Sequence, residues 1–249
     1  MSDTLQTRTE GGVLHVTFNR PEKKNAFTHA MYTRGAEALE AAATDAAVRV
    51  VRLAGAGGSF TAGNDLGDFL ENPPTGEDSA VFRFLRALIA LDKPVVAGVE
   101  GAAVGIGTTM LLHCDYVAAS EKARFAMPFV NLGLVPEAAS SLLLPQLAGG
   151  VLASELLMFG EPFDAATALR AGIVNRVLAP DALEAHVAER AAALAQKPAQ
   201  ALQLTKRLMR APQREAVQAT LRREGAEFVQ RLGSDEAREA FMAFMSRKK

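Results

Sequence analysis

Several common kinds of chemistry find little to work with in this sequence. A single cysteine, Cys114, lies in an apolar stretch, so it forms no internal disulfide and reads as a buried inert thiol in a reducing cytosol. The four histidines, His15, His29, His113 and His186, are scattered without metal-ligand spacing, and no G-x-S-x-G elbow is present; both facts count against zinc and triad-hydrolase sites. There is no G-x-x-x-x-G-K-[ST] phosphate loop, and Gly101-Ala-Ala-Val-Gly105-Ile-Gly107 has the wrong spacing for the dinucleotide fingerprint. Basic residues form no run except Arg247, Lys248 and Lys249, and the formal net charge is -1, so nucleic acid is a poor partner. The most apolar region, Pro94 to Ser120, is broken by Glu100, His113, Asp115 and four glycines, which excludes it as a membrane span. The opening residues lack the basic-then-apolar layout of a signal peptide, and the last three are not Ser-Lys-Leu, so a cytoplasmic location is expected.

What is present is an ordinary globular composition, 49% hydrophobic and 22% charged over 249 residues, enough for one large core. Val13, Val16 and Phe18 mark a strand, and Val48 to Ala54 another that ends at a glycine turn. Between them the Ala/Glu-rich segment from Thr28 to Ala43 reads as a helix with Thr28 as its N-cap. Asp65 suits the cap of a short helix, residues 80–91 read as a helix, Pro94 to Val99 as a strand, and residues 106–113 as a helix opened by a glycine turn. Pro136 suits the first position of a helix containing Ser140 and Ser141. Helical segments follow at Ala182–Ala195, Ala199–Arg210, Arg214–Arg231 and Asp235–Ser246. The fold class is therefore α/β with a helical C-terminal region, divided as a core over residues 1–190 and a helical part over 191–249.

Four ordered segments resemble the crotonase superfamily, also called the enoyl-CoA hydratase/isomerase family. They are Asn19-Arg-Pro-Glu-Lys-Lys-Asn-Ala26, Phe60-Thr-Ala-Gly-Asn-Asp-Leu66, Glu100-Gly-Ala-Ala-Val-Gly-Ile-Gly107 with Cys114-Asp115, and Ala168-Leu-Arg-Ala-Gly-Ile-Val-Asn-Arg-Val177. The resemblance implies a spiral of ββα units whose backbone amides at Asn64 and Ile106 form an oxyanion hole for a thioester enolate. Amides at a helix N-terminus lack intrahelical partners and sit at the positive end of the dipole, which suits that task. It also implies that Lys23, Lys24, Ala26, Ala62, Gly63, Asp65, Leu66, Gly105, Phe129 and Leu132 line the coenzyme A and acyl site. Taken alone, the glycines serve as well for close helix packing, Asp65 as a cap, and the lysines as solvated charges.

The typical hydratases of this family carry two glutamates, and this sequence departs from them: Thr109 and Phe129 stand at those positions, and neither can act as a general base. Leu132-Gly-Leu-Val-Pro-Glu-Ala-Ala-Ser-Ser141 instead resembles the P-E-G-x-S-S segment of peroxisomal-type 3,2-enoyl-CoA isomerases, with Ala138 where glycine is usual, and Gly63-Asn-Asp-Leu66 favours the same branch. That makes Glu137 the expected base of an isomerase in fatty acid metabolism. An acid in the first turn of a helix after Pro136 has equally a purely structural reading. The apolar neighbours Phe129, Leu132, Leu134 and Val135 are expected to raise its pKa.

Two other readings stay open: an enoyl-CoA hydratase or related lyase or hydrolase, and a non-catalytic acyl-CoA-binding module. The resemblance implies an acyl-CoA thioester as partner, coenzyme A entering only as part of the substrate, no metal or redox cofactor, and a homotrimer or homohexamer. Leu202, Leu208, Phe228, Phe241 and Phe244 are the apolar positions expected to meet a neighbouring subunit.

Overall fold

A computed structural model describes residues 4–246. Strands β1 (Leu5–Glu10) and β2 (Val13–Phe18) form an antiparallel hairpin at the edge of the main sheet. Helix α1 (His29–Thr44) crosses over to β3 (Val50–Gly55), and Thr28 caps it by accepting the Met31 amide, as the sequence predicts. Asp65 likewise caps α2 (Leu66–Glu71) through the Gly67 and Asp68 amides. Helix α3 (Ala80–Ala90) returns the chain to β4 (Val95–Val99).

Short strand β5 (Ala102–Val104) leads into α4 (Ile106–Thr109), which continues as a 3-10 turn to His113. Strands β6 (Tyr116–Ser120) and β7 (Arg124–Ala126) follow, then α5 (Ser140–Ala148) and α6 (Gly150–Ser154), the latter running into a π turn over Glu155–Phe159. Strand β8 (Phe163–Asp164), α7 (Ala165–Arg170) and β9 (Arg176–Leu178) complete the strands among the described residues.

The main sheet has the order β1-β2-β3-β4-β6-β9, with every pair parallel except β1 with β2. A second sheet has the order β5-β7-β8. Parallel strands carry core on both faces, which is why β3, β4 and β6 read as continuous apolar runs. Val51, Leu53, Val95, Ala97, Val99, Val117 and Ala119 face the large core, with α1 and α3 packed on it. The alternate residues Val50, Val96 and Ala118 face the other way. There they meet Leu183, Val187, Ala191 and Ala195, a stripe at four-residue spacing on α8 (Pro180–Ala195). Residue 190, taken from the sequence as the edge of the core, lies inside this continuous helix.

Helices α9 (Ala199–Arg210), α10 (Arg214–Leu232) and α11 (Asp235–Ser246) end the described chain. Helix α9 is clipped to the sheet by charge. Buried Lys206 donates to the Lys93 carbonyl and to Asp115, each at 2.7 Å, while Arg210 reaches the other Asp115 oxygen at 2.9 Å. Phe228 and Phe241, read from the sequence as candidates for a neighbouring subunit, are buried at 5% and 3% exposure in this chain's own core; Leu208 is 65% exposed.

One boundary differs in a way that matters. Pro136 does not open a helix, because Ala138 and Ala139 both take left-handed backbone angles (φ 58° and 57°) and α5 begins only at Ser140. Glu137 therefore sits in an irregular segment ahead of a turn rather than in the first turn of a helix.

Candidate active site

Segments distant in sequence converge beside the glycine turn that opens α4. Arg20 ties the first two motifs together, donating to the Ala26 carbonyl at 2.6 Å and to Asp65 at 3.0 Å. Buried Asn25, itself at φ 57°, donates to the Ala56 and Ser59 carbonyls and so holds the same loop against the end of β3. The Lys24 carbonyl accepts the Ala62 amide at 2.9 Å, which seats the lysine turn against Ala62–Leu66; Lys23 and Lys24 are exposed there and Ala26 is buried.

Phe27 donates to the Gly63 carbonyl and accepts the Asp65 amide, so Asn64 between them turns its own N–H away from Phe27. Gly63 has φ 86°, and a Cβ there would lie 2.7 Å from the Val104 carbonyl oxygen. Only glycine lets the Asn64 strand approach the end of β5 this closely. Gly105, at φ 56°, then turns the chain so that Ile106 is the first residue of α4, where its amide has no partner within the helix. The structure thus brings Gly63, Asn64, Gly105 and Ile106 together. The Asn64 side chain is fixed by Tyr32, whose hydroxyl donates to Oδ1 at 2.5 Å.

Glu137 meets α4 at Thr109, three residues after Ile106. The Thr109 hydroxyl donates to Glu137 Oε1 at 3.4 Å, a long contact, so the residue at the first hydratase glutamate position touches the glutamate that is present. Glu137 is 7% exposed. Burial pushes its pKa from 4.5 up to about 8, reinforced by the nearby charge of Glu224 and opposed by the Thr109 hydroxyl.

The apolar wall around Glu137 differs from the sequence expectation. The cavity it lines is closed by Phe69 of α2, Phe82 and Leu85 of α3, and Leu221 and Phe228 of α10, rather than by Phe129 and Leu132. Phe69 and Phe228 meet edge to face at 6.2 Å across it. Phe129 is buried and Leu132 half-buried in the turn that precedes Glu137, where the Phe129 carbonyl accepts the Leu134 amide. Leu66 begins α2 and is half-buried.

Sequence reasoning missed Glu224, a second carboxylate lining the same cavity. The signal was present: Val217, Leu221, Glu224, Gly225 and Phe228 form one buried stripe of α10, so an acid stands on a core-facing position. Among the described residues no group of three or more His, Cys, Asp or Glu side chains is arranged to hold a metal ion. Nor is any of their helices long and apolar enough to cross a membrane.

Comparison with known proteins identifies the fold and the family. The chain shares 43% identity and a TM-score of 0.93 with the crystal structure of an enoyl-CoA hydratase/isomerase from Pseudoalteromonas atlantica T6c, over 98% of each chain. The architecture is thereby the α/β crotonase fold. The sequence profile described as Enoyl-CoA hydratase/isomerase matches residues 8–249, and the chain belongs to that family. It is 38% identical to enoyl-CoA delta isomerase 2 of Rattus norvegicus over 99% of its length, but spans only 64% of that relative. It is 34% identical to 2,3-dehydroadipyl-CoA hydratase of Escherichia coli (strain K12), covering 100% of this chain and 97% of that one. Relatives at similar identity therefore carry both isomerase and hydratase names.

Proposed function

We propose that this protein is a 3,2-enoyl-CoA isomerase in which Glu137 is the single acid–base group. The observation that carries the reading is the buried Glu137 carboxylate, in contact with α4 at Thr109, the position at which a typical hydratase of the family has the first of its two glutamates. In this reading the Asn64 and Ile106 amides receive the thioester oxygen. Glu137 takes a proton from C2 of a 3-enoyl thioester, the electron pair moves into a dienolate, and the same carboxyl returns the proton at C4. No water is consumed. Losing one oxyanion donor of this kind typically costs about 3–4 kcal/mol of barrier, and well-placed acid–base catalysis contributes roughly 100- to 10,000-fold.

A second reading has an observation behind it: Glu137 and Glu224 line one cavity, and a hydratase works with two carboxylates. Against it, both Glu224 oxygens already accept hydrogen bonds, from the Ala139 and Ser141 amides and the Ser141 hydroxyl, which leaves that carboxylate poorly placed to activate water. Lys23 and Lys24, with the segment they are bonded to, are the proposed contacts for coenzyme A. Exposed apolar side chains at Val151, Met158, Phe159, Leu208 and Met209 support a homotrimer or homohexamer as the working assembly, in the cytoplasm.

The test is turnover of 3-hexenoyl-CoA in deuterated water, by the parent and by Glu137→Gln, following conjugated 2-enoyl product and label position by mass. Glu137-dependent 2-enoyl product supports the isomerase. Hydrated product alone selects the hydratase, and binding with neither product selects a non-catalytic module.

A further inference from the structure

We infer that Glu224 is a positioning residue for Glu137: its carboxylate, reaching in from α10, holds the left-handed Ala138–Ala139 turn that aims the base and sets a second negative charge on the wall of the same cavity. The inference rests on the reading of Glu137 as the base.

The geometry is specific. Glu224 Oε2 accepts the Ala139 amide at 2.6 Å, and Oε1 accepts the Ser141 amide at 2.9 Å and the Ser141 hydroxyl at 2.5 Å. From the opposite side, buried His113 places Nε2 at 2.7 Å from the Ala138 carbonyl, to which its N–H donates. Two consecutive non-glycine residues in the left-handed region are unfavourable on their own and persist only where the surroundings over-determine them. Here the surroundings are Glu224 and His113, which hold the Ala138–Ala139 peptide group, one residue beyond Glu137, by its N–H and its carbonyl.

A purely structural cap would be simpler. Position 139 stands at the N-cap of α5, where a serine or aspartate would satisfy the free amides locally, but alanine fills it and no local side chain caps the helix. The chain instead uses a 7%-exposed glutamate from α10, at the cost of burying a carboxylate beside another. Burial raises the Glu224 pKa, while its bonds to Ser141 and the Ala139 amide and the charge of Arg223 oppose the rise. The other groups bearing on Glu137 are the Thr109 hydroxyl from α4 and the Tyr32 phenol from α1, within electrostatic range. Glu224 is the negative charge among them, and its effect on Glu137 is to favour the protonated form.

The experiment compares the parent, Glu224→Gln, Ser141→Ala and Glu137→Gln on 3-hexenoyl-CoA, each as full-length protein, measuring kcat and KM across pH together with Tm. Glutamine at 224 removes the charge and keeps one acceptor oxygen, so it can accept from the Ala139 amide or the Ser141 amide but not from both. Expected for Glu224→Gln are a kcat roughly 10- to 100-fold lower with KM within about twofold, and an acid limb of kcat/KM moved down by roughly one pH unit. A lower Tm with parental kcat and an unmoved acid limb would show a structural cap only and overturn the proposal. Should Glu224→Gln not fold, Ser141→Ala decides: kcat lower by roughly threefold or more at unchanged KM supports it, and parental kcat overturns it. Full turnover by Glu137→Gln would instead remove the base itself, and the proposal with it, whatever Glu224→Gln does.

Discussion

Replacing Glu137 by glutamine should make the protein more stable while stopping its turnover, and the gain in stability should grow with pH. In the folded state burial, with help from the Glu224 charge and against the Thr109 hydroxyl, lifts the Glu137 pKa from 4.5 to about 8. In the unfolded chain the carboxyl ionises near its ordinary value. Between those two pH values the folded state holds a proton that the unfolded state has lost, so stability falls as pH rises through this window. Below 4.5 both states are protonated and nothing is lost; above about 8 both are ionised and the loss is constant. At about 1.4 kcal/mol per pH unit, the loss is roughly 3 kcal/mol at pH 7 and approaches roughly 5 kcal/mol beyond pH 8.

Glutamine has nearly the same shape and carries no such loss. For a chain of this size, at about 2–4 °C per kcal/mol, the variant should melt roughly 6–12 °C above the parent at pH 7. Thermal unfolding of both proteins from about pH 5 to pH 9, followed by circular dichroism, measures it, and the difference curve reports Glu137 together with its coupling to Glu224 while uncoupled groups cancel. A difference that is flat with pH, or that shrinks as pH rises, would refute the argument that burial keeps a proton on this carboxyl.

Other outcomes follow from the same geometry. In the parent, kcat/KM on a 3-enoyl-CoA should climb as pH rises through about 8, because the free enzyme must shed the Glu137 proton before accepting one from substrate; a pH-independent rate across that range counts against the base. Gly63→Ala forces a side chain to φ 86° with its Cβ 2.7 Å from the Val104 oxygen. Denaturant unfolding should register a loss of roughly 2–3 kcal/mol, and turnover should fall with it as Asn64 moves off Gly105. For His113, burial, opposed by its bond to Ala138 and aided by the Arg210 and Lys206 charges, pulls the pKa from 6.5 down to about 4. The unfolded chain then binds the proton first, so stability should be lost as pH falls from 6.5 through about 4, and His113→Gln should flatten that slope in urea titrations.

Much of this architecture can be read from local signals. Helix α9 begins and ends, and α11 begins, where the apolar spacing and the Lys197-Pro198 and Gly233 breaks put them, and Thr28 and Asp65 cap as their side chains dictate. Strand β1 escapes such reading because only Leu5 of its six residues is buried, so an exposed edge strand leaves no apolar alternation to see. At the candidate site, the closeness of Gly63 to Val104 and Gly105 is a tertiary contact that no periodicity encodes, and only the family resemblance pointed to it. The turn at Ala138–Ala139 is the clearest miss. Alanine propensity favours a helix directly after Pro136, and what overrides it is a pair of hydrogen-bonding side chains, Glu224 and His113, that approach from α10 and from the end of α4's 3-10 extension. The walls of the Glu137 cavity come from α2, α3 and α10 for the same reason: side chains far apart in sequence meet only once the chain has folded.

The clamp on that turn also orders events during synthesis. Glu224 lies 85 residues beyond the Ala139 amide it accepts, so a ribosome has threaded Glu137 into the cell long before the helix that fixes its aim exists. A nascent chain, or one cut short before α10, carries the glutamate and the glycine turn but lacks Leu221 and Phe228, which close the cavity, and the acceptor that holds the turn. Its carboxyl would stand in water with an ordinary acidity, a poor base for carbon acids. Only once α10 has been made and packed does the chain carry a carboxyl that is both buried and held in place.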